Sequence, residues 1–141
     1  MRMESDVARA RLRILVVDDD RFMLDMLPMW LETAFPGWGP PEIRTARSPR
    51  EVLARISAEC PDVVLSDYDL RDTMNGVRLL EQVGARCPGT VRVLFSGHAP
   101  EEIGTDLDNK SLHGFIEKPM RIEEMLEPFR TLVERHLVPA S

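Results

Sequence analysis

Three acidic residues stand together directly after a short apolar run near the start of the chain. Residues 14–22 read ILVVDDDRF, so Asp18, Asp19 and Asp20 follow four consecutive apolar residues. Adjacent carboxylates repel one another, and this costs free energy unless a cation lies between them. Mg²⁺ prefers such oxygen ligands and is typically held by one or two carboxylates together with a phosphate oxygen. The cluster therefore indicates a cation site.

Polar residues also follow the other apolar runs of the chain. They are Ser66, Asp67 and Asp69 after DVVL, Ser96, Gly97 and His98 after VRVLF, and Glu117, Lys118 and Pro119 after GFI. An aspartate can act as a nucleophile toward phosphorus. A lysine and a serine can neutralise and hydrogen-bond the phosphoryl oxygens. Brought together, these groups have the chemistry needed to form an acyl phosphate.

The apolar runs have the length and composition of buried strands. Runs at 14–17, 62–66, 91–96 and 114–117 are rich in Val, Ile and Leu, and a weaker run covers 42–46. The second and third of the stronger runs are continuous rather than alternating, which is typical of parallel strands covered on both faces. Helical patterns separate them, at 21–34, from 49 to just before Cys60, and at 75–86, 99–110 and 121–137.

Five strand and helix pairs predict an α/β fold, a doubly wound five-stranded parallel sheet built through right-handed crossovers. In such a sheet the ligand site lies outside the carboxyl ends of the strands, so the polar residues that follow the runs should meet there. Asp20 is predicted to cap the first helix rather than to bind a cation, because aspartate is a favoured residue at a helix N-cap. Ser48-Pro49-Arg50-Glu51 has the pattern of a capping box, and Pro28 is expected to kink the first helix.

Composition limits the classes of function. The chain has 141 residues, enough for one domain, and a net charge of −6 that argues against a nucleic-acid surface. Its apolar runs are too short to cross a bilayer, and the start MRMESDVARARLR lacks the apolar centre of a secretory signal, so we expect a cytoplasmic protein without a membrane partner. Cys60 and Cys87 are then expected to be reduced structural thiols.

These motifs, in their order along the chain, resemble the receiver domain of two-component response regulators, of the stand-alone single-domain type. The carriers of the resemblance are DD after strand one, D at the end of strand three, S-G after strand four and F-x-x-K-P at strand five. It implies the (βα)5 flavodoxin-like receiver fold over residues 12–137, with an N-terminal tail at 1–11 and a C-terminal tail at 138–141.

The resemblance assigns roles to individual residues. Asp67 is the implied phosphoacceptor, assisted by Ser96 and Lys118. Mg²⁺ or Mn²⁺ would be held by Asp18, Asp19, Asp67 and the backbone carbonyl of Asp69; no residue is assigned to an organic cofactor. Ser96 and Phe115 are the implied switch residues, and Asp69 and His98 would modulate hydrolysis of the phosphoryl group. The Lys118-Pro119 bond resembles the family's cis peptide.

The implied function is a signalling phosphoacceptor and not an enzyme, although it would assist its own phosphorylation and dephosphorylation. A histidine kinase or phosphotransfer protein would donate the phosphoryl group to Asp67. The face made by the fourth helix, fifth strand and fifth helix would then bind a downstream protein target, and phosphorylation can also drive homodimer formation. No nucleic acid is expected to bind directly.

Two other functions fit parts of the sequence. Asp67-Tyr68-Asp69 resembles the D-x-D motif of haloacid-dehalogenase-like phosphatases, which also form an aspartyl phosphate, although here the acidic pair comes first. The second of these functions is a receiver scaffold that works without phosphorylation. The chain also departs from the usual receiver pattern: DYDLRDTMNG after strand three contains no proline, and Phe115 stands where the family often has tyrosine.

Overall fold

The computed structural model of the protein describes residues 11–71 and 74–137. The tails expected at 1–11 and 138–141 therefore lie outside the described residues, apart from Arg11. The strands are β1 Arg13–Val17, β2 Glu42–Ala46, β3 Val63–Asp67, β4 Val91–Ser96 and β5 Gly114–Glu117. The α-helices are α1 Arg21–Leu31, α2 Pro49–Ala58, α3 Gly76–Arg86, α4 Pro100–Ile103 and α5 Leu126–His136. Two 3₁₀ helices cover Gly104–Asp108 and Ile122–Met125.

All five strands form one parallel sheet in the order β2-β1-β3-β4-β5, which confirms the predicted fold class. The chain moves outward from β1 to β2, then crosses back over β1 to reach β3. This reversal makes β1 and β3 neighbours, with Val17 opposite Ser66. The residues that follow these two positions, Asp18 and Asp67, therefore leave the sheet side by side.

Helices cover both faces of the sheet, as the continuous apolar strands predict. On one face α1 and α5 pack through residues such as Leu27 and Phe129 against Val16. On the other, α2 and α3 pack through residues such as Ile56 and Leu80. Each fully buried side chain of this size contributes about 1.5–3 kcal/mol of transfer free energy. Among the described helices, none is long and apolar enough to cross a membrane.

Side-chain caps open three of the five α-helices, α1, α2 and α3. The side chain of Ser48 accepts a hydrogen bond from the Glu51 backbone N–H at 3.3 Å, and Pro49 opens α2. Helix α1 ends at Leu31 rather than near residue 34, and Pro28 lies inside it. The weak pattern at 99–110 becomes a single α-turn followed by a 3₁₀ helix, because Gly104 adopts φ 69° and ends α4.

Two expectations from the sequence are wrong. Cys60 and Cys87 form a disulfide instead of remaining reduced. They occupy equivalent positions just before β3 and β4, and because these strands are adjacent and parallel, the two cysteines become spatial neighbours with 5.7 Å between their Cα atoms. The Lys118-Pro119 bond is not cis, since the described residues contain no cis peptide. The trans form is the lower in free energy for most X-Pro bonds.

A buried arginine links β4 to the segment before β5. Arg92 is only 8% exposed, and its guanidinium donates to the backbone carbonyls of Ser111 at 2.6 Å and Thr90 at 3.0 Å. Its backbone N–H donates to Nδ1 of His113 at 2.9 Å. Burial lowers the pKa of His113, and the neighbouring Arg92 and His136 lower it further. The fold therefore requires neutral His113.

We expect acid to weaken this part of the fold. The unfolded chain, where His113 titrates near its ordinary 6.5, binds the proton more readily than the folded chain. The stability that neutral His113 contributes is complete above that pH and is lost as pH falls toward the lower folded pKa. In His113→Asn, whose amide oxygen can still accept from Arg92, the thermal midpoint should fall less between pH 7.5 and 5.5 than in the wild type. Equal slopes would contradict this role.

Candidate functional site

The site begins with two buried carboxylates at the ends of neighbouring strands. Asp18 follows β1 and is 2% exposed, and Asp67 ends β3 and is 7% exposed. The strands buried on both faces carry these side chains into a region that water reaches poorly. Burial raises the pKa of Asp67 to about 6, with the nearby charge of Asp18 adding to the effect. Burial also raises the pKa of Asp18.

Lys118 holds the two carboxylates together. Its Nζ lies 3.3 Å from Oδ2 of Asp18 and 3.2 Å from Oδ1 of Asp67. Burial alone would lower the pKa of Lys118, but the carboxylates of Asp67 and Asp18 offset this and raise it. The ammonium is therefore charged, and it bridges residues that are 100 and 51 positions earlier in the chain.

Asp19 completes a cluster that fits a divalent cation. One carboxylate oxygen from each of Asp18, Asp19 and Asp67 lies within 4.8 Å of the others. Exposed acidic groups often cluster without binding metal, but two of these three are buried. Three carboxylates face the ammonium of Lys118 and the exposed guanidinium of Arg71, so the cluster keeps an excess of negative charge that favours a cation. Hard oxygen donors of this kind suit Mg²⁺ or Mn²⁺.

Asp20 stands apart from the cluster, as predicted. Its side chain accepts a hydrogen bond from the Phe22 backbone N–H at 3.0 Å and caps α1. Its own backbone N–H donates to Oδ1 of Asp18 at 2.9 Å, and this bond orients the Asp18 carboxylate. The third aspartate of the run is therefore a structural cap.

Ser96 reaches the same end of the sheet from β4. It is fully buried, and its Oγ accepts from the His98 backbone N–H at 2.9 Å. Its carbonyl accepts from the Lys118 backbone N–H at 2.7 Å, which ties the end of β4 to the end of β5. Because Asp67 pairs with Phe95 in the sheet, Ser96 lies one residue beyond the position opposite Asp67 on the neighbouring strand. Gly97 has open space where a side chain would lie.

The rim of the site contains the other predicted residues. Nε2 of His98 lies 4.0 Å from Oδ2 of Asp69, and its Nδ1 lies 3.7 Å from Oε1 of Glu102. Phe115 is half-buried on β5 and packs against the core on the α2 and α3 face. The structure thus brings Asp18, Asp19, Asp67, Ser96 and Lys118 together, with Asp69 and His98 at the edge.

The sequence reasoning missed two residues at this rim. Nε of Arg71 lies 3.4 Å from Oδ2 of Asp19 and partly neutralises it. The Tyr68 hydroxyl donates to Oδ2 of Asp106 at 3.2 Å, and this bond connects the loop after β3 to the 3₁₀ helix Gly104–Asp108. Neither contact has a signal in the sequence, because each joins segments that are far apart along the chain.

Gly76 is required by the close approach of two backbone segments. A Cβ built at Gly76 would lie 2.1 Å from the carbonyl oxygen of Asp67, well inside contact distance. The Gly76 backbone N–H donates to the Tyr68 carbonyl at 2.8 Å. Helix α3 therefore starts directly against the end of β3, and the glycine sets how closely it approaches Asp67.

Comparisons with known proteins agree with this geometry. The family model described as response regulator receiver domain matches residues 14–130. The chain is 31% identical over 123 residues to the DNA-binding transcriptional regulator NtrC of Salmonella typhimurium, covering 86% of the chain and 24% of that protein. It is 30% identical over 124 residues to the probable transcriptional regulatory protein TcrX of Mycobacterium tuberculosis, covering 86% and 50%. The chain thus spans a quarter to a half of these relatives.

Solved structures resemble the whole described fold. A response regulator receiver domain protein (CheY-like) from Methanospirillum hungatei superposes with a TM-score of 0.75 at 30% identity. The match covers 92% of this chain and 98% of that one. A receiver domain protein from Clostridium thermocellum gives a TM-score of 0.74 at 21% identity, covering 90% and 98%, and this second likeness supports the fold alone.

Substitution of Gly76 by alanine should destabilise the protein. The added methyl group would meet the Asp67 carbonyl, so β3 and α3 must separate, at a cost of about 1–3 kcal/mol. Gly89→Ala is the matched control, because a Cβ there has nothing within 4 Å. Urea unfolding of both variants tests this. Equal urea midpoints for the two variants would show that β3 and α3 can separate at no cost in stability.

Asp67→Asn should stabilise the protein at pH 7.5 in EDTA. Because the folded pKa is raised, the favourable contribution of protonated Asp67 is present at pH below 3.8 and lost as pH rises through about 6. Above that pH the fold must hold a buried, ionised carboxylate. Removing this charge should add about 1–3 kcal/mol, or about 3–9 °C in thermal midpoint, and the gain should shrink toward pH 4. Asp20→Asn, a substitution at a capping position, should change the midpoint little.

Proposed function

Because the chain belongs to the response regulator receiver domain family, we propose that Asp67 accepts a phosphoryl group from a histidine kinase or a phosphotransfer protein. The observation that carries the proposal is the bridge made by Lys118 between the buried carboxylates of Asp18 and Asp67. A structural ion pair needs one carboxylate for each ammonium. Here the surplus buried negative charge favours a cation, and that cation together with Lys118 could then neutralise the charge of an arriving phosphoryl group.

Asp67 is suited to be the nucleophile. With its pKa near 6, it is mostly ionised at neutral pH, so a free carboxylate oxygen is available to attack phosphorus. The new P–O bond forms as the bond from phosphorus to the donor nitrogen breaks, and the donor nitrogen keeps the electron pair. Lys118 already lies 3.2 Å from Oδ1 of Asp67, where its charge can neutralise the transferred oxygens.

The carboxylates of Asp18, Asp19 and Asp67 and the backbone carbonyl of Asp69 would hold Mg²⁺ or Mn²⁺. When bound, the ion supplies positive charge to the phosphoryl oxygens that one lysine does not neutralise. Arg71 contacts Asp19 and would have to give up that contact. Its side chain is 81% exposed, so the rearrangement should cost little.

Movements of the Ser96 and Phe115 side chains would couple phosphorylation of Asp67 to a conformational change at the protein surface. The hydroxyl of Ser96 would leave the His98 N–H to hydrogen-bond the phosphoryl group, and Phe115 would turn toward the space it vacates. This would bias the face made by α4, β5 and α5, where a downstream protein would bind or a second copy would form a homodimer. His98 and Asp69, at the rim, would modulate hydrolysis.

The relatives named above are longer regulators, so this chain corresponds to their receiver part. NtrC is described as a DNA-binding regulator; for this chain we propose direct partners among the proteins of the cytoplasm and no direct contact with nucleic acid. The chain would then act as a signalling phosphoacceptor that assists its own phosphorylation and dephosphorylation, rather than as an enzyme with an external substrate.

Phosphorylation can be tested with a small acyl-phosphate donor. In the presence of Mg²⁺ we expect a mass increase of one phosphoryl group, removable by hydroxylamine and absent in Asp67→Asn. EDTA should abolish it. Continuous release of phosphate from added esters would favour the phosphatase alternative, and no labelling at all would favour the scaffold that works without phosphorylation.

The neighbouring aspartates provide a matched pair of variants. Asp19→Ala removes a carboxylate from the cluster and should slow Mg²⁺-dependent labelling of Asp67 at least about tenfold. Asp20→Ala removes only the helix cap, so it should cost about 1 kcal/mol of stability and leave the labelling rate nearly unchanged. Equal effects of the two substitutions on labelling would contradict the division of roles within the acidic run.

A further inference from the structure

The Cys60–Cys87 disulfide has no part in the proposed phosphoryl chemistry, yet the segment that it closes contains Asp67, the proposed phosphoacceptor. Cys60 lies just before β3 and Cys87 caps the end of α3. The covalent loop between them contains Asp67 and Gly76. Strand β3 and helix α3 are therefore tied together at the end opposite to the acidic cluster.

The two cysteine residues differ in their exposure to solvent. Cys60 is exposed, whereas Cys87 is buried at 2% exposure. In thiol–disulfide exchange a thiolate attacks one sulfur of the bond and the other sulfur leaves. An external thiolate can therefore reach the sulfur of Cys60, with Cys87 as the leaving group.

A cavity of about 250 Å³ opens beside Cys60. Its charged lining consists of Arg13, Arg44, Arg55, Glu42 and Glu59. The carboxylate of Glu59 pairs with Arg13, and that of Glu42 with Arg44 at 2.8 Å. Arg55 has no ion pair with any residue in 11–71 or 74–137, so the lining keeps an excess positive charge. Positive charge attracts thiolates and increases their concentration at the sulfur they attack.

The side of the leaving group is also positively charged. The buried guanidinium of Arg92 contacts the carbonyl oxygen of Cys87, with its Nη1 at 3.4 Å. The guanidinium thus offsets the negative end of α3 at the residue that carries the leaving sulfur. Positive charge therefore lies in the cavity beside Cys60 and at the backbone of Cys87.

We propose that Cys60–Cys87 is a reversible redox site, opened by a dithiol that attacks the sulfur of Cys60. The first thiolate forms a mixed disulfide with Cys60 and releases Cys87 as a thiolate, which takes up a proton. The second thiolate of the same reductant then displaces Cys60. The reductant leaves as a disulfide, and two electrons and two protons have passed to the protein. Cysteine pairs in reducing compartments often have this transient character.

Opening the bond should release the unit formed by β3 and α3. The disulfide spans a sequence separation of 27 residues, and closing a loop of this size restricts the unfolded chain. Its reduction should lower the thermal midpoint by about 10 °C. The site is thus a means of loosening the elements that carry Asp67 without touching the acidic cluster. This proposal does not depend on phosphorylation of Asp67, because alkylation of the thiols and the thermal midpoint can both be measured on the unphosphorylated protein.

Alkylation of the folded, full-length chain tests the bond. Protein purified without reductant should take up no iodoacetamide, and after treatment with dithiothreitol it should take up two carbamidomethyl groups and show the lower midpoint. The double variant Cys60→Ser with Cys87→Ser is the control and should show the same midpoint with and without dithiothreitol. Uptake of two groups before reduction, or no difference in midpoint after it, would overturn the proposal.

Single variants test the point of attack. Cys87→Ser leaves the Cys60 thiol, which should react with an aromatic disulfide at least about tenfold faster than the Cys87 thiol of Cys60→Ser. Replacing Arg55 by Gln should slow reduction of the wild-type disulfide by dithiothreitol, and Arg50→Gln, on the exposed side of the same helix and outside the cavity, should not. Equal reactivity of the two thiols would contradict attack at Cys60.

Discussion

The structure depends on the burial of two carboxylates of like charge beside one ammonium. Asp18 and Asp67 end adjacent strands, and Lys118 bridges them at 3.3 and 3.2 Å. Burial of ionised groups is costly, and this burial raises the pKa of both aspartates. A fold selected for stability alone would have no reason to retain the surplus charge. A cation at this cluster, as we propose, would offset the surplus negative charge.

The rest of the fold positions this cluster. The reversal of the chain between β2 and β3 makes β1 and β3 neighbours, so Asp18 and Asp67 emerge together. The bond from the Lys118 N–H to the Ser96 carbonyl ties β5 to β4 and carries the ammonium to the same edge. Gly76 lets α3 begin against the Asp67 carbonyl. Packing on both faces of the sheet holds these elements rigid, so small changes of charge at the site can act on the loops around it.

The unit formed by β3 and α3 has a distinctive group at each of its ends. At one end β3 carries Asp67 into the acidic cluster, and at the other the disulfide joins Cys60, three residues before β3, to Cys87, the residue after α3. The two proposals assign different chemistry to these ends, phosphoryl transfer and thiol exchange. The two would then be coupled through the stability of that unit, without direct contact.

The sequence by itself determined the strands, their parallel class, the cap at Asp20 and the residues that follow the strand ends. These features depend on residues that are close together in the sequence, namely short apolar runs and the polar residues next to them. Only the tertiary structure decided that Cys60 meets Cys87, that Arg71 contacts Asp19 and that Tyr68 reaches Asp106. Such contacts join residues far apart in the chain, and their distances follow from strand order and register, which no local pattern encodes.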